Sequence, residues 1–446
     1  MKLDFWPKNT HVFLVGAGGA SMSSLAFLLR AGGYAVSGSD SRASERTAKL
    51  EEAGVRVHIG HAAENIEGAD AVAASSAVPL DAPELLAAKE RGIPVYSRAE
   101  LLSLVAGCFR HTVAFAGCHG KTTATAMCAH VFAACGADPS AHIGGEDLDY
   151  GNFRAGGSGW FVTEACEYRA NFLQLRPETA VILNTDADHL ECYAGPAALA
   201  EAYERFARGA KQCILCGDDP AAARIPAALT FGLSERCAVS AANLRRNGGR
   251  YSFTLRLRGQ PCGRVRLRAF GRHNVYNALA AASAAFLCGF PAELIVRGLQ
   301  EFRGVRRRFE PLGKFCGADC IADYAHHPRE IEAAMEAVRV RKGGRLIVVF
   351  QPHTYSRTRL LFEDFVRVLS RAEHLVVYKT FPAREYFDAA GSALTLSQSL
   401  PRSLYIETPR ELEIYLRCSL RPGDAVLFLG AGDIYTAARR LLGGKL

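Results

Sequence analysis

The residues best suited to chemistry are seven consecutive positions, Gly117-Cys118-His119-Gly120-Lys121-Thr122-Thr123. They follow the apolar run His111 to Ala116 and precede the helical pattern from Ala124 to Cys135. A strand that ends in a glycine turn and opens a helix gathers backbone N–H groups, the positive end of the helix dipole, an ammonium and a hydroxyl in one small volume. The pattern predicts a site for a nucleoside triphosphate and Mg²⁺, with Lys121 at the terminal phosphates and Thr122 on the metal.

The spacing of this loop limits what it predicts. Its glycines stand two residues closer than in the usual P-loop, as G-x-x-G-K-T. The residues therefore indicate phosphate binding without indicating the class of nucleotide-dependent enzyme.

Two candidate metal ligands lie further along the chain. Glu164 follows the apolar strand pattern Gly159 to Thr163, and His189 follows the pattern Thr179 to Leu183. Each stands just beyond the carboxyl end of a predicted strand, where α/β sheets place their sites. A carboxylate and an imidazole there would hold Mg²⁺ against the phosphates. The alternatives are a surface carboxylate for Glu164 and a capping or core histidine for His189.

A second glycine loop stands near the start of the chain. The predicted strand His11 to Val15 leads into Gly16 to Ser21, then a helix through Arg30 and a second strand that ends at Asp40. Glycines after a first strand, with an acidic residue about 20 positions on, match the dinucleotide-binding fingerprint. Because Ser21 stands where the third glycine belongs, the match is partial. Ser21 at this position disfavours a dehydrogenase, and a phosphate-bearing nucleotide other than NAD fits the loop as well.

Three α/β blocks follow one another, which predicts a three-domain α/β protein. An N-terminal Rossmann-like domain is predicted over residues 1–107, a central P-loop ATPase-like domain over 108–309 and a C-terminal Rossmann-like domain over 310–446. The length of 446 residues agrees with about three domains of ~150 residues. Within the last block, strands are predicted at Arg345 to Phe350, His374 to Tyr378 and Ala425 to Leu429, with helices from Pro328 and Leu360. Three such blocks favour a reaction between separately held substrates.

The amino-acid composition indicates the class of protein and the compartment in which it works. The chain is 49% hydrophobic and 22% charged, as in ordinary globular proteins. No apolar stretch approaches the ~20 residues of a membrane span, and the start of the chain lacks the apolar core of a signal peptide. The 14 cysteines stand singly in apolar segments, apart from Cys213 and Cys216, which lack further partners at zinc spacing. We expect a cytoplasmic protein that does not insert into membranes.

The net charge of +8 comes largely from one segment, residues 245–268. Arginines alternate there with apolar residues on both sides of Gly259-Gln260-Pro261, which predicts a β-hairpin with one buried and one solvated face. Phe253 falls on the apolar face, where it cannot stack on bases. We therefore expect a solvated arginine face and no nucleic-acid partner.

Taken together, the motifs resemble those of the Mur ligases, ATP-dependent amide-forming enzymes of peptidoglycan synthesis. The resemblance covers nearly the whole chain, and the order of the motifs is highly specific. The motifs are the glycine loop at Gly16, H-G-K-T-T at His119 to Thr123, D-H-L at Asp188 to Leu190, G-R-H-N-x-x-N at Gly271 to Asn277, R-R-F-E at Arg307 to Glu310, D-Y-A-H-H-P at Asp323 to Pro328, Q-P-H-x-Y-S-R-T at Gln351 to Thr358 and G-A-G-D at Gly430 to Asp433.

The resemblance implies a reaction. ATP, with Mg²⁺, would activate the lactyl carboxylate of UDP-N-acetylmuramate as an acyl phosphate, and L-alanine would attack it. The products would be ADP, phosphate and UDP-N-acetylmuramoyl-L-alanine, made by a cytoplasmic monomer or homodimer. Two alternatives stay open: a recycling ligase that adds a tripeptide to the same UDP-sugar, and a non-catalytic nucleotide sensor. The Q-P-H-x-Y-S-R-T motif favours a small amino acid.

The resemblance also implies roles for individual residues. The catalytic residues would be Lys121, Glu164 and His189, and the metal ligands Thr122, Glu164 and His189. The UDP-sugar would be bound by Gly16, Gly18, Gly19, Ala20, Ser21, Asp40, Ser75 and Ser76. ATP would be bound by Gly117, Cys118, His119, Gly120, Lys121, Thr122, Thr123, Asn274, Asn277, Arg308 and Asp323, with the two asparagines at the adenine. The amino acid would be bound by Tyr324, His353 and Arg357.

The chain departs from the family pattern in three places. It reads Cys166-Glu167-Tyr168-Arg169 where many members read D-E-S-D. No lysine lies between His189 and Lys211 to act as the carbamylated metal bridge of some branches. Thr354 stands where other members carry arginine, which would loosen selectivity for alanine.

Overall fold

The computed structural model describes residues 3–186, 192–338 and 344–443. By its internal contacts the chain divides into two compact units. The first contains residues up to 245 together with 252–268 and 274–303, and the second contains 246–251, 269–273 and the chain from 304 onward. Among the described residues, no helix is long and apolar enough to span a bilayer.

The first sheet has five parallel strands in the order β3-β2-β1-β4-β5. α-Helices separate its strands except between β3 and β4, where the connection contains the short 3-10 helix Ala63–Ile66; parallel strands need such crossover connections. Its elements are β1 His11–Val15, α1 Ala20–Ala31, β2 Ala35–Asp40, α2 Glu45–Glu52, β3 Arg56–Ile59, β4 Ala71–Ala74, α3 Pro83–Glu90, β5 Val95–Ser97 and α4 Arg98–Gly107.

The second sheet has ten strands, in the order β15-β14-β13-β12-β11-β10-β6-β9-β7-β8, and lies in the first unit except for the strand ends at 246–247, 250–251 and 269–270. Its elements are β6 His111–Ala116, α5 Lys121–Ala134, β7 Ser140–Asp147, β8 Gly151–Arg154, β9 Trp160–Glu164, β10 Thr179–Ile182, α6 Pro196–Arg208, β11 Gln212–Cys216, β12 Leu229–Gly232, β13 Val239–Asn247, β14 Arg250–Leu257, β15 Gln260–Phe270, α7 His273–Leu287 and α8 Ala292–Glu301.

The apolar sequence of β6 explains its central place in this sheet. Residues 112–116 of the strand are all buried, as expected for a parallel strand covered on both faces. Strands β9 and β10 pair with it in parallel on either side. The carboxyl ends of all three strands therefore meet at one edge.

The third sheet lies in the second unit and has six strands in the order β16-β17-β21-β18-β19-β20, parallel except for the β16–β17 pair. Its elements are β16 Glu310–Phe315, β17 Ala318–Asp323, α9 Pro328–Ala337, β18 Leu346–Phe350, α10 Tyr355–Leu360, α11 Phe362–Leu369, β19 His374–Tyr378, α12 Ala393–Gln398, β20 Ser403–Ile406, α13 Pro409–Ser419, β21 Ala425–Leu429 and α14 Ile434–Leu441.

The three sheets confirm the predicted three-domain α/β class, and two helix starts need correction. α5 begins at Lys121 rather than Ala124, because Gly120 turns the chain and lets the helix start at once. The predicted helix from Leu360 is two helices, α10 and α11, which meet at Leu361. The arginine hairpin is confirmed: Phe253 is buried, and Arg264, Arg266 and Arg268 are exposed.

Close packing of α8 on α5 gives a test of this fold. A Cβ atom on Gly298 would lie 2.5 Å from Cα of Val131 and 3.1 Å from Cβ of Ala134. We expect Gly298→Ala to push the helices apart and to lower the free energy of unfolding by about 1–3 kcal/mol, measured in urea. Gly107→Ala is the control, because nothing lies within 4 Å of that Cβ position. Equal stabilities of the two variants would contradict the packing.

Candidate active site

The phosphate loop connects β6 to α5 through two glycines with positive φ, +138° at Gly117 and +86° at Gly120. A Cβ atom on Gly120 would lie 2.4 Å from Oδ1 of Asn277, so glycine is required there. Thr122 and Thr123 stand in the first turn of α5, where backbone N–H groups lack intrahelical acceptors. The loop has the features of an anion site at a helix N-terminus.

Lys121 forms a buried ion pair with Glu167. Its Nζ lies 3.0 and 2.9 Å from the two carboxylate oxygens, and it also donates to the carbonyls of Gly117, at 2.5 Å, and Cys118, at 3.3 Å. The side chain of Lys121 is 14% exposed and that of Glu167 is 0% exposed. Burial by itself would lower the pKa of Lys121, but the charge and hydrogen bonds of Glu167 raise it above the usual value. Lys121 therefore stays charged at neutral pH.

Sequence reasoning did not select Glu167, the partner of the predicted site residue Lys121. It lies in the Cys166 to Arg169 segment, which was considered only as a departure from the family pattern. The backbone there is held in an unusual form, with φ of +51° at Arg169 and +55° at Ala170, and the hydroxyl of Tyr193 donates to the carbonyl of Glu167. The available signal was that the glutamate of the D-E-S-D pattern is retained at this position.

Glu164 ends β9 at the same sheet edge as the phosphate loop. It stands opposite Phe115 of β6 in the parallel register. Its Oε1 accepts the backbone N–H of Gly144 at 2.5 Å, and a Cβ atom on Gly144 would lie 2.6 Å from both carboxylate oxygens. The structure therefore brings the carboxylate of Glu164 to the edge at which α5 begins, with Thr122 in the first turn of that helix.

The segment after β10 is tied to the phosphate loop by Asn184. Its Oδ1 accepts from the N–H of His119 at 3.1 Å, and its Nδ2 donates to the carbonyl of His119 at 3.0 Å. The sulfur of Cys118 donates to the carbonyl of Asp186. His189 and the D-H-L motif follow this segment but lie outside the described residues, so the role of His189 stays a prediction.

Asn274 and Asn277 lie together in α7, and both are buried. Nδ2 of Asn277 donates to Oδ1 of Asn274 at 2.9 Å. Because the Asn277 amide packs directly over Gly120, the structure brings this pair to the phosphate loop as the ATP assignment requires. Adenine recognition itself stays a prediction.

The first glycine loop is folded around the carboxyl ends of β1 and β2. Gly16 has φ of +81°, and its N–H donates to Ser39. The carboxylate of Asp40 accepts the N–H of Gly18 at 2.9 Å, and a Cβ atom on Gly16 would lie 3.2 Å from Cβ of Ser75. Gly19 caps α1, which begins at Ala20, and Ser76 is exposed next to Ser75. The predicted UDP-sugar residues thus form one cluster.

The predicted amino-acid residues lie together in the second unit. The Tyr324 and His326 rings are 5.4 Å apart, and the His326 and His353 rings are 5.7 Å apart. Arg357 donates from Nη1 to Nδ1 of His353 at 3.3 Å. Sequence reasoning did not select His326, which lies between two of the residues that it did select.

His353 is held neutral. Burial, followed by the charges of His326, Arg357 and Arg307, lowers its pKa to about 3. Its ring also stacks on Phe381, with centroids 5.6 Å apart. A neutral Nδ1 can accept the Arg357 hydrogen bond.

Thr354 strains the backbone beside this cluster. It has φ of +67° and ψ of 148°, a region that β-branched residues avoid. Its hydroxyl caps α10 by accepting the N–H of Arg357, and its N–H donates to Phe381 at 3.0 Å. The cap and this hydrogen bond hold the strained turn and fix the start of the helix that carries Arg357.

Arg308 and Asp323 also lie side by side in the second unit. The Asp323 carboxylate accepts from the N–H of Phe309 at 2.7 Å and from that of Ala325 at 2.8 Å. Burial raises its pKa to about 6, although the Arg308 charge opposes the shift. The Arg308 guanidinium lies 5.0 Å from the Tyr324 ring centroid. Their roles toward ATP stay predictions.

Three family models match the chain in sequence. "Mur ligase family, catalytic domain" matches residues 11–110, "Mur ligase middle domain" matches 115–285, and "Mur ligase, glutamate ligase domain" matches 307–432. Among curated proteins, the UDP-N-acetylmuramate–L-alanine ligases of Alkaliphilus metalliredigens and Caldanaerobacter subterraneus are 38% and 37% identical, over 98% and 99% of this chain and 97% and 99% of theirs.

Solved structures agree with the sequence matches. The crystal structure of UDP-N-acetylmuramate-alanine ligase from Thermotoga maritima has a TM-score of 0.85 at 28% identity, over 98% of this chain and 99% of that one. A murein peptide ligase from Psychrobacter arcticus has a TM-score of 0.75 at 23% identity, over 98% of each chain. At 23% identity, the match to the murein peptide ligase shows a shared fold only.

The buried ion pair predicts a large and specific stability effect. Lys121→Met would remove the ammonium that neutralises a fully buried carboxylate, so we expect a loss of about 3–5 kcal/mol in the free energy of unfolding. The double variant Lys121→Met/Glu167→Gln should recover much of this lost stability, because it leaves no unpaired charge buried. Arg297→Met, which breaks an exposed pair with Glu301, is the control and should change the free energy of unfolding far less, because solvent screens an exposed pair. Similar losses in Lys121→Met and Arg297→Met would refute the pairing.

Neutral His353 predicts a pH effect with a definite sign. Because its folded pKa lies below the unfolded value of about 6.5, the unfolded chain binds more protons, and stability falls as pH drops below 6.5. His353→Phe keeps a ring against Phe381 and removes the titration. From pH 6.5 down to pH 4.5, the extra loss of stability in the wild type should steepen from about half to nearly the full 1.4 kcal/mol per pH unit, measured by urea unfolding followed by circular dichroism. Parallel pH profiles would contradict the account.

Proposed function

The chain belongs to the Mur ligase family, and from that membership we propose that it is an ATP-dependent ligase that joins L-alanine to UDP-N-acetylmuramate. The products are ADP, phosphate and UDP-N-acetylmuramoyl-L-alanine, a precursor of peptidoglycan, made in the cytoplasm. The observation that carries the proposal is the phosphate loop whose lysine and neighbouring carboxylate lie at one edge of the central sheet, in a chain that matches L-alanine ligases over 98% of its length.

The reaction needs an activated carboxyl group, because a free carboxylate does not react with an amine. The lactyl carboxylate attacks the γ-phosphate of ATP, and Lys121 stabilises the charge on the transferring group. The amine of L-alanine then displaces phosphate from the acyl phosphate. Excluding water from the closed site protects that intermediate from hydrolysis.

The Lys121–Glu167 pair prepares the lysine for this role. Lys121 now donates to the carbonyls of Gly117 and Cys118 as well as to Glu167. When a triphosphate binds, phosphate oxygens replace these carbonyls as acceptors. Glu167 keeps its contact and holds the ammonium charged and oriented at the loop.

Thr122, Glu164 and His189 supply the groups for one Mg²⁺ ion. A hydroxyl and a carboxylate oxygen are the hard donors that Mg²⁺ prefers, and the position of Glu164 at the phosphate-loop edge fits that use. Bound Mg²⁺ supplies charge neutralisation at the phosphates. Gly144 holds the Glu164 carboxylate in place through its N–H.

The remaining roles follow the chemistry of the clusters. Arg357 pairs with the carboxylate of L-alanine, beside His353 and Tyr324. Arg308 contacts the ATP phosphates, Asp323 the ribose, and Asn274 with Asn277 the adenine edge. The glycine loop from Gly16 to Ser21 holds the UDP pyrophosphate. Domain boundaries at 107/108 and 309/310 are part of the proposal.

Phosphate release tests the function as a whole. The purified chain is given ATP, Mg²⁺ and UDP-N-acetylmuramate, and L-alanine, glycine, L-serine or the L-Ala-γ-D-Glu-diaminopimelate tripeptide is added in turn. We expect phosphate release that depends on both the UDP-sugar and the amino acid, with L-alanine the best acceptor. Release with the tripeptide alone would favour the recycling ligase, and nucleotide binding without release would favour a sensor.

Arg357 gives the sharpest test of the amino-acid site. Arg357→Ala loses a charge-assisted bond of about 1.5–3 kcal/mol, so the KM for L-alanine should rise about 10- to 100-fold while the KM values for ATP and the UDP-sugar change little. Arg357→Lys should rescue only part, since lysine lacks the bidentate fork.

The control variant lies on the same helix. Arg359→Ala removes an exposed arginine that pairs with Asp388 at 2.9 Å and should leave the L-alanine KM unchanged. A rise in the ATP constant in Arg357→Ala, with the L-alanine constant unchanged, would place Arg357 at the nucleotide instead.

A further inference from the structure

Four side chains connect the first glycine loop to Glu164 in the central sheet. Nη1 of Arg98 lies 3.2 Å from Oγ of Ser21, which lies 2.8 Å from Nε2 of His142. Nδ1 of His142 lies 3.1 Å from Oγ1 of Thr163, which donates to the backbone carbonyl of Glu164 at 3.1 Å. The series begins at Arg98 of α4, passes through Ser21 of the predicted UDP-sugar loop and ends at the predicted metal ligand Glu164.

The Arg98 guanidinium, at the start of the series, decides which atom of each later hydrogen bond carries the proton. A guanidinium only donates, so the Ser21 oxygen accepts from Arg98 and its single proton goes to Nε2 of His142. The histidine is neutral, because burial and then the charge of Arg98 lower its pKa to about 3. Its one proton therefore sits on Nδ1 and is donated to Thr163. The hydrogen bonds all run in one direction, toward Glu164.

Strand β7 contacts Glu164 both near its backbone and at its carboxylate. His142 and Gly144 both belong to β7. His142 contacts the residue before Glu164, and the N–H of Gly144 donates to its carboxylate. A shift of His142 would therefore be transmitted to the Glu164 backbone through Thr163 and to its carboxylate through Gly144.

The start of α1 is fixed to this part of the central sheet by a second contact. Nδ2 of Asn152 on β8 donates to the carbonyl of Ala20 at 2.9 Å and to Oγ of Ser23 at 2.8 Å. The His142 side is closed to water, with 2% of His142 and 0% of Thr163 exposed. Buried networks of hydrogen-bonded side chains are rigid and favour one arrangement, so a displacement at one end of this series is not absorbed by solvent.

We propose that His142 is a positioning residue that couples the sugar-nucleotide loop to Glu164, so that the UDP-sugar and the Mg²⁺–nucleotide each bind more tightly when the other is present. The coupling rests on the proposed function of the two sites. Ser21, which breaks the glycine fingerprint, supplies the hydroxyl that the connection needs. By linkage, the effect of either ligand on the other is the same factor.

Thermodynamic coupling tests the proposal on the full chain. Calorimetry gives the Kd of UDP-N-acetylmuramate without and with a saturating non-hydrolysable ATP analogue and Mg²⁺. We expect the ratio to be about 5- to 150-fold in the wild type. Thr163→Val removes only the hydroxyl that lies between His142 and the Glu164 carbonyl. This variant should bring the ratio to within about twofold of one, and each ligand alone should still bind as it does to the wild type.

Two further variants cut the connection on either side of the ring. His142→Asn places an amide donor near the Nδ1 position and loses the Ser21 acceptor, and His142→Gln does the reverse; both should also abolish coupling. Thr112→Val is the matched control, since Thr112 is another buried threonine, on neighbouring β6 and outside the connection, and it should keep the wild-type ratio.

The outcomes separate this proposal from the proposed function. A wild-type ratio near one, with both ligands binding, or a wild-type ratio retained in Thr163→Val, would overturn the coupling and leave the ligase assignment standing. Absence of UDP-N-acetylmuramate binding by the wild type would overturn both. If the His142 variants do not fold, Thr163→Val and Thr112→Val still decide the matter.

Discussion

The buried ion pair between Lys121 and Glu167 is the constraint on which the rest of the site depends. A carboxylate with no exposed surface is tolerable only beside a positive charge with good hydrogen bonds. The pair exists because β6 and β9 are neighbours, and each leads directly into the loop that carries one partner. The same pairing of strands brings Glu164 to the phosphate loop. The positions of these charged groups therefore depend on the strand order of the central sheet.

Neutral histidines beside arginines recur in both units. His142 is linked to Arg98 through Ser21, and His353 accepts directly from Arg357. In each case burial lowers the pKa of the histidine to about 3 and the nearby arginine charge adds to the shift. Each imidazole is left as a hydrogen-bond acceptor with a fixed tautomer. A neutral histidine orients polar groups without adding a second positive charge beside the arginine.

Sequence reasoning predicted the parts of the fold that depend on local pattern. The phosphate-loop strand and the arginine hairpin follow from alternation, apolar runs and glycine turns, and they lie where the sequence indicates. Tyr324, His353 and Arg357 were grouped through family motifs, and the structure brings them together through His326. The helix start at Lys121 was missed because Gly120, rather than the propensity of the following residues, decides where α5 begins.

The connections that sequence could not predict are the long-range ones. Ser21 and His142 are 121 residues apart, and Lys121 and Glu167 are 46 apart. Their pairing is fixed by strand order and burial rather than by any local signal. Ser21 was noticed only as a missing glycine, and Glu167 only within a departure from the family pattern. Ser21 breaks its local motif and Glu167 keeps the one family residue of a divergent segment, yet each has a distant partner that no local pattern indicates.

The catalytic rate of Glu167→Gln tests the central claim most directly. Glutamine keeps the size and hydrogen-bonding oxygen of the side chain but removes the charge that holds the Lys121 ammonium in place. If the pair orients Lys121 for phosphoryl transfer, kcat for ligation should fall at least ~10²-fold, the typical effect of losing one preorganised charge-stabilising group, while the KM for the UDP-sugar stays close to that of the wild type. A kcat near the wild-type value in a folded Glu167→Gln enzyme would contradict the account.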